Sequence, residues 1–161
     1  MRALAAAALL TLVAAPAQAG ALWRDAQAGE TPAQTLQKLT DAKRNPDPSN
    51  IKGSAWCEVH IPKVQVAGRD FEVCFYYENS KLVQVTLDLA GQTAPSAAPT
   101  AFETLLEDLR RQYGAEDSVD RRSGFVTQHE AKWAKAGRNI SLYMMALSGN
   151  SDATVNIHYR P

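Results

Sequence analysis

Three histidines and two arginines are the residues whose types and spacing could do chemistry. His60 and His129 lie 69 residues apart, as do Arg69 and Arg138, and His158 follows near the end of the chain. Imidazole is the commonest metal ligand among protein side chains, and paired guanidinium groups can hold a carboxylate. No acidic residue repeats beside the histidines, so we predict no metal site. Arg69 and Arg138, at two predicted turns, remain a candidate pair for binding a carboxylate.

Short catalytic motifs are missing from the chain. It contains no glycine-rich phosphate loop after a strand, no Gly-x-Ser-x-Gly, no His-Glu-x-x-His and no Cys-x-x-Cys. We therefore assign no catalytic residue and no cofactor, and we expect a protein that is not an enzyme. A catalytic site assembled from distant residues is the alternative.

The two cysteines, Cys57 and Cys74, are predicted to form a disulfide if the protein is exported. A two-residue turn at Ala67-Gly68 would pair Val66 with Arg69 and leave the α-carbons of the cysteines roughly 13 Å apart. A disulfide needs them within about 7 Å. The bond therefore requires a bulge or bend near Pro62, or a chain that leaves the strand before Cys57. Two buried free thiols are the alternative.

Residues 1–19 have the pattern of a secretory signal peptide. Arg2 is followed by an apolar stretch and by the small residues Ala17-Gln18-Ala19. The stretch is too short to span a membrane, which takes about 20 residues. We expect cleavage near Ala19, a periplasmic or secreted location without a stable membrane anchor, and a single mature domain over residues 20–161.

Charge excludes one class of partner. The chain has 17 basic and 17 acidic residues, and therefore a net charge of +0. The sequence has neither a basic patch nor a long run of like charges that would indicate binding to a phosphate backbone. We expect no nucleic-acid partner.

The chain also repeats itself at a fixed offset of 69 residues. Residues 31–77 and 100–146 share ten identities without a gap, including Ala67-Gly68-Arg69 against Ala136-Gly137-Arg138. Such a match indicates a duplicated structural unit. We place repeat 1 at about 31–90, a linker at 91–99, and repeat 2 at about 100–161, with a loose lead-in over 20–30.

Each repeat is predicted to begin with a helix. Thr31 and Thr100 are N-cap candidates, with Gln34 and Glu103 completing capping boxes. The first helix should run to about Arg44. The second should end at a Gly114 C-cap, and it carries one apolar stripe, made of Phe102, Leu105, Leu106, Leu109 and Tyr113.

Three strand candidates follow each helix. Period-two alternation identifies the last two of each set, at 71–78 and 83–89 and at 140–145 and 154–159, and the predicted turns at Ala67-Gly68 and Ala136-Gly137 imply the first. The resulting fold class is α+β: two tandem helix–three-strand repeats, with helices on one face of a predominantly antiparallel sheet. One continuous six-stranded sheet is our first expectation, and two sheets side by side is the alternative.

The other face of the sheet is the predicted binding surface, because tyrosine and methionine are enriched at protein interfaces. Coverage of this face by a loop, the linker or a second chain is the competing interpretation. The alternation assigns eight residues to it: Glu72, Tyr76, Gln84, Thr86, Asp88, Tyr143, Met145 and His158.

The layout is similar to that of secreted enzyme inhibitors and envelope assembly modules. The function expected from it is binding to an unidentified protein of the cell envelope, as an inhibitor of an envelope enzyme or as an assembly accessory factor. The alternative is a small-molecule binder or enzyme with its site in the crevice between the repeats. A homodimer formed through the same sheet face is a third interpretation.

Overall fold

Strands dominate the part of the chain that the computed structural model describes, which is residues 20–51, 53–91, 93–149 and 152–161. The predicted signal peptide and its cleavage after Ala19 lie outside these residues. In chain order the elements are β1 Ala21–Trp23, β2 Ala26–Gln27, α1 Pro32–Lys38, β3 Lys43–Arg44, β4 Trp56–Val66, β5 Arg69–Glu78, β6 Lys81–Leu89, α2 Ala98–Tyr113, β7 Ser118–Arg122, β8 Val126–Lys135, β9 Arg138–Leu147 and β10 Ala153–Arg160.

Eight of these strands form one antiparallel sheet in the order β3-β4-β5-β6-β10-β9-β8-β7. The order is a meander of four strands followed by a second meander in reverse. The two meanders meet where β6 pairs with β10, with Leu87 opposite Ile157. The halves of the sheet are therefore related by an approximate two-fold axis near this pair.

The predicted fold class is wrong, because the protein is mostly one large eight-stranded sheet with only two helices among the described residues. It is not a pair of helix–three-strand repeats with helices on one face. The two missed strands of the sheet explain the difference. Lys43–Arg44 is only two residues long and fell inside the predicted first helix, while Ser118–Arg122 has a single apolar residue and hence no alternation to detect.

The start of α1 is confirmed, but its predicted end is wrong. The Thr31 hydroxyl accepts a hydrogen bond from the Gln34 backbone N–H, and the Gln34 side chain accepts from the Thr31 N–H at 2.8 Å. The helix ends after seven residues, at a Leu39 with extended backbone angles. Leu39 is buried in the core, and Thr35 accepts a 2.8 Å hydrogen bond from the hydroxyl of Tyr77. This short helix is therefore fixed by packing onto the sheet.

The apolar stripe and the Gly114 C-cap of α2 are confirmed, but its predicted N-cap is wrong. Phe102, Leu105, Leu106 and Leu109 are buried, and Gly114 has a φ of 82°. The helix begins at Ala98, two residues before Thr100, and Ala97 at the N-cap makes no side-chain cap hydrogen bond. Ala98 and Ala101 are fully buried, so packing extends the helix past the capping threonine. Among the described helices, none is long and apolar enough to cross a membrane.

The lead-in is ordered rather than loose. Residues 21–27 form the two-stranded ribbon β1–β2, and Leu22 and Ala26 are completely buried in the main core. The Trp23 ring packs 6.0 Å from the ring of Phe75. Since the chain at Gly20 passes so close to the Ala136 carbonyl that a Cβ would lie 2.6 Å from its oxygen, the absence of a side chain there permits this docking.

The two predicted hairpin turns are confirmed. Ala67 and Gly68 have φ values of 49° and 73°, and Ala136 and Gly137 have 51° and 75°. Two successive positive φ angles are typical of the type I′ turn, whose twist matches the flanking strands. The turns therefore fix the register of β4 on β5 and of β8 on β9.

One face of the sheet carries the main core. There α2 packs on β8, β9 and β10, while α1 and β1–β2 cover part of the first half. A second, small cluster lies on the opposite face, where Ala55, Cys57 and Tyr76 are buried beside the loop Asn45–Ile51. We call this opposite side of the sheet the open face.

Candidate functional site on the open face

The residues of the predicted binding surface lie on the open face. Cross-strand pairing brings them side by side: Glu72 opposite Asp88, Tyr76 opposite Gln84, and Thr86 opposite His158. On β9, Tyr143 and Met145 alternate with the fully buried Leu142 and Met144, so that their side chains project from the open face.

These residues differ in exposure. Tyr76 is only 7% exposed, and Gln84 and Thr86 are each 4% exposed. Glu72 is exposed, whereas Asp88, Tyr143, Met145 and His158 are half-buried. A partner on this face would therefore contact the second group, while Tyr76, Gln84 and Thr86 support it from beneath.

The disulfide Cys57–Cys74 is confirmed, with its α-carbons 5.6 Å apart. The bulge that it requires is also confirmed, because the pairing of β4 with β5 shifts once between Ile61 and Val64 and again between Cys57 and Val59. The extra residues include Pro62, which has no N–H to donate to the ladder. The two shifts place Cys57 opposite Tyr76, two residues along β5 from Cys74 and within reach of a disulfide.

The disulfide also anchors the loop Asn45–Ile51 over the open face. The Cys57 backbone N–H donates to the Ser49 carbonyl at 2.8 Å, and the Asn45 side-chain amide donates to the Cys57 carbonyl at 3.0 Å. The loop is thereby tied to β4 at both its start and its middle.

Between this loop and the sheet lies a cleft of about 260 Å³. Asn45, Asp47 and Ser49 line it from the loop side. From the sheet side it is lined by His60, Glu72, Cys74, Tyr76 and Asp88, with Val73 beneath. We call this feature the acidic cleft, because three of its side chains are carboxylates.

Two of these carboxylates are directly opposed. Glu72 on β5 pairs with Asp88 on β6. Burial raises the pKa of Asp88, a hydrogen bond from Asn156 opposes this, and the charge of Glu72 raises the pKa further. Within the described part of the chain, no basic side chain forms an ion pair with Glu72, Asp88 or Asp47. Like charges directly opposite each other destabilise a sheet.

The equivalent positions in the other half of the sheet are neutral. Glu72 is the fourth residue of β5, and Ser141 is the fourth residue of β9. Ser141 pairs with His158 just as Glu72 pairs with Asp88. The sheet therefore accommodates an uncharged pair in the same setting, and the acidic pair is not a requirement of the fold.

The row of residues that contains Glu72 and Asp88 continues across the sheet. Asp88 is followed by Asn156, then by Tyr143, Glu130 and finally Asp120. At the far end the carboxylates are neutralised: Glu130 pairs with Lys132 at 3.0 Å, and Asp120 with Arg122 at 2.7 Å. Uncompensated negative charge is thus concentrated at the acidic cleft.

A hydrogen-bonded network fills the centre of the open face. Gln84 donates to Thr86 at 2.8 Å and accepts from Arg160 at 2.6 Å, and both Gln84 and Thr86 lie within 3.3 Å of the His158 Nδ1. Because Thr86 accepts from Gln84, its own hydroxyl proton is free to reach Nδ1, and this places the imidazole proton on Nε2. Burial first, and then the Arg160 charge, lower the pKa of His158 to about 4, against a smaller opposing effect of Glu130.

The three histidines are not brought together. His60 lies opposite Cys74 on the open face, whereas His129 is on the core face, with its ring 5.3 Å from that of Phe102. The bulge of β4 between Ile61 and Val64 causes the mismatch, since one inserted residue moves the side chains beyond it to the other face, and the pairing of β8 with β9 has no such shift. Within the described ranges, no group of three metal-ligating side chains is arranged to hold a metal ion.

The two turn arginines are also separate. Antiparallel pairing through β6 and β10 makes β5 and β9 run in opposite directions, so Arg69 and Arg138 lie at opposite ends of the sheet. Arg138 donates to the carbonyls of Ala21 and Leu22 at 2.5 and 3.2 Å, and it lies 5.2 Å from the ring of Tyr113. Its contacts hold the lead-in ribbon against the sheet.

The sequence patterns did not predict several residues of the acidic cleft. Asn45, Asp47 and Ser49 follow the predicted end of the first helix at about Arg44, in a segment to which the sequence assigned no strand and no site. Asn156 was assigned to the correct strand and alternates with buried residues, so its place on the open face could have been found. The proximity of the loop to Asp88 could not, because it depends on the two bulges of β4.

No protein-family model, curated protein or solved structure matches the chain. The proposals below are supported by the geometry and charge of the open face.

Proposed function

We propose that this is an exported protein that binds another protein through the open face of its sheet. The observation that carries the proposal is the unequal covering of the two faces. Helix α2, helix α1 and the β1–β2 ribbon pack over the core face, whereas among the described residues only the loop Asn45–Ile51 packs over the open face, on its first half.

The uncovered half presents the chemistry of a protein interface. Tyr143 and Met145 stand two residues apart on β9 and are both half-buried. Aromatic and methionine side chains offer a large contact area for a modest loss of conformational entropy. The charged pair of Glu130 with Lys132 borders them, as the polar rim of an interface borders its apolar centre.

Export is supported by the disulfide, since disulfides persist mainly in oxidising compartments. The amino-terminal pattern of residues 1–19 is the second support. In such a compartment, an inhibitor of an envelope enzyme or an accessory factor for envelope assembly is the role that fits a small binding protein.

The rival function is a small-molecule site between the halves. A half-open crevice of about 270 Å³ does lie between them on the core face, lined by Leu87 and Tyr159 among others. Its charged side chains are already occupied, because Arg24 pairs with Asp41 and Asp108 accepts from both Arg111 and Gln112. Among the described residues that line it, the crevice therefore offers a ligand no unpaired charge, and we prefer the protein binder.

Capture by chemical crosslinking in the native compartment tests the proposal. Wild type is compared with Tyr143→Glu on the open face and with Gln37→Glu on α1, an exposed matched control. We expect one protein to be captured by wild type and by Gln37→Glu and to be lost with Tyr143→Glu. Equal capture by all three would place the interface elsewhere. A dimer of the chain itself as the sole product would replace the partner with a second copy.

A further inference from the structure

We propose that the acidic cleft receives an arginine side chain of the partner protein. This rests on the proposed function above and specifies the chemistry of its partner. The site would be the anchor of the interface, with the surface around Tyr143 as its continuation across the same row of the sheet.

The charges of the cleft argue for a cationic group. Asp47, Glu72 and Asp88 all line it, and within the described residues none of their carboxylates is ion-paired. By register the basic residue nearest to Glu72 is Lys63, in the bulge of β4 opposite it, and the Lys63 ammonium pairs with Asp70 at 2.7 Å. His60 and Lys43 lie one row away from Glu72 and Asp88. An ionised carboxylate only accepts hydrogen bonds, so the cleft offers acceptors that need donors from outside.

An unsatisfied atom beside Asp88 points the same way. The Asn156 side chain donates to Asp88 at 3.4 Å, but its own Oδ1 is buried and has no hydrogen-bond donor. A buried polar atom without a partner is costly and uncommon in native structures. Asn156 does not line the cleft, so a guanidinium there would reach the Glu72 and Asp88 carboxylates, with Asn156 as the neighbouring acceptor in the same row.

The repulsion between Glu72 and Asp88 lowers the stability of the sheet, and the fold does not require this pair. Glu72 and Asp88 repel each other, while the equivalent pair in the other half is Ser141 and His158. An arriving guanidinium would place one positive charge between the two carboxylates, offset their repulsion and form a charge-assisted hydrogen bond with each.

The size and rigidity of the cleft suit a planar side chain. Liquid water occupies about 30 Å³ per molecule, so 260 Å³ admits the four heavy atoms of a guanidinium together with several waters. The loop wall is anchored through Cys57, which the disulfide joins to Cys74 in the floor. A wall that is already in place reduces the conformational entropy lost on binding.

The test uses Nα-acetyl-arginine methylamide as a probe of the side chain, and the citrulline analogue, its neutral isostere, as a control. Amide shifts of the full chain are followed by NMR at low salt. We expect millimolar binding of the arginine probe, with shifts confined to residues 45–49, Glu72 and Asp88, and no binding of the citrulline probe. Added salt should weaken the binding.

Variants assign the binding to the cleft. Glu72→Gln and Asp88→Asn should each weaken the arginine probe about tenfold, since each removes one charge-assisted contact. Asp120→Asn, whose carboxylate is paired with Arg122 at the far edge, should bind as wild type does. Thermal unfolding of each variant confirms that it is folded before it is titrated.

Equal shifts with the citrulline probe, shifts outside the cleft, or no effect of either cleft variant would overturn the proposal. The outcomes distinguish a failure of this proposal from a failure of the proposed function. If the arginine probe does not bind but capture still depends on Tyr143, the open face binds a partner of different chemistry. If the probe binds the cleft but no protein is captured through Tyr143, the cleft recognises a cationic group on its own.

Discussion

Glu72 and Asp88 face each other across β5 and β6, and no basic side chain of the described residues neutralises either one. Removal of one charge should therefore stabilise the protein. For Asp88→Asn we expect the free energy of unfolding at pH 7 to rise by up to about 1 kcal/mol, the range measured for cross-strand pairs. Urea unfolding measures the change. The control Asp120→Asn, which breaks an exposed ion pair, should stay within about 0.5 kcal/mol of wild type.

The same residue predicts a pH dependence. The pKa of Asp88 lies above its usual value of 3.8, mainly through burial. The folded state thus holds this proton more tightly than the unfolded state. Stability should fall as the pH rises from about 3.8 through the folded pKa of Asp88, and Asp88→Asn should lose this part of the profile. A variant that is less stable than wild type at every pH would show that Asp88 supports the fold.

The contribution of His158 to stability changes with pH in the opposite direction to that of Asp88, because it is lost as the pH falls. Its pKa falls from 6.5 to about 4 because it is buried beside Arg160, with Glu130 opposing. Below pH 6.5 the unfolded state therefore takes up a proton that the folded state refuses. Stability should decrease by up to about 1.4 kcal/mol for each pH unit between 6.5 and 4.

The variant His158→Gln tests that assignment. It should be less stable than wild type at pH 7, because the bonds with Thr86 and Gln84 are disturbed, but its stability should fall less between pH 6.5 and 4. His60→Gln is the matched control on the same face. An unchanged acid slope in His158→Gln would assign the loss of stability to another group.

The two tyrosines of the open face should respond differently to a charge. Tyr76 is 7% exposed and packs with Ala55 and Cys57, so Tyr76→Glu should cost more than about 2 kcal/mol. Tyr143 is half-buried at the uncovered end, and Tyr143→Glu should cost less than about 1 kcal/mol. Thermal unfolding separates the two. Similar costs would mean that the loop Asn45–Ile51 does not cover Tyr76.

Loss of the disulfide should loosen the acidic cleft. The cysteines are 17 residues apart, and a loop of this length predicts a loss of about 3 kcal/mol for Cys57→Ala with Cys74→Ala. Hydrogen exchange should rise most at Cys57, whose N–H bonds to Ser49. Protection retained there would show that the loop is held without the bond.

Local patterns in the sequence were sufficient for much of the sheet. Alternation found β5, β6, β9 and β10 and the face of Tyr143, because side chains on regular strands have a fixed period. The turns at Ala67-Gly68 and Ala136-Gly137 implied β4 and β8. Alternation failed where the period breaks. The bulge at Pro62 moves His60 to the open face, whereas its repeat counterpart His129 stays on the core face because β8 has no bulge, and no local signal fixes where a bulge falls.

Short and polar elements were missed for a different reason. Lys43–Arg44 and Ser118–Arg122 are strands only because a neighbouring strand pairs with them. The acidic pair was visible only in part: both residues were placed on the open face, but their direct opposition depends on the register of β5 on β6.

Site-specific photocrosslinking shows whether the open face contacts a partner protein. A photoreactive benzoylphenylalanine replaces Tyr143 on the open face, and in a second variant it replaces Glu107, an exposed residue of α2. The account predicts one covalent adduct with a second protein from position 143, weakened by an added Asp88→Asn, and none from position 107. An adduct from position 107 alone, or from neither position in the native compartment, would contradict it.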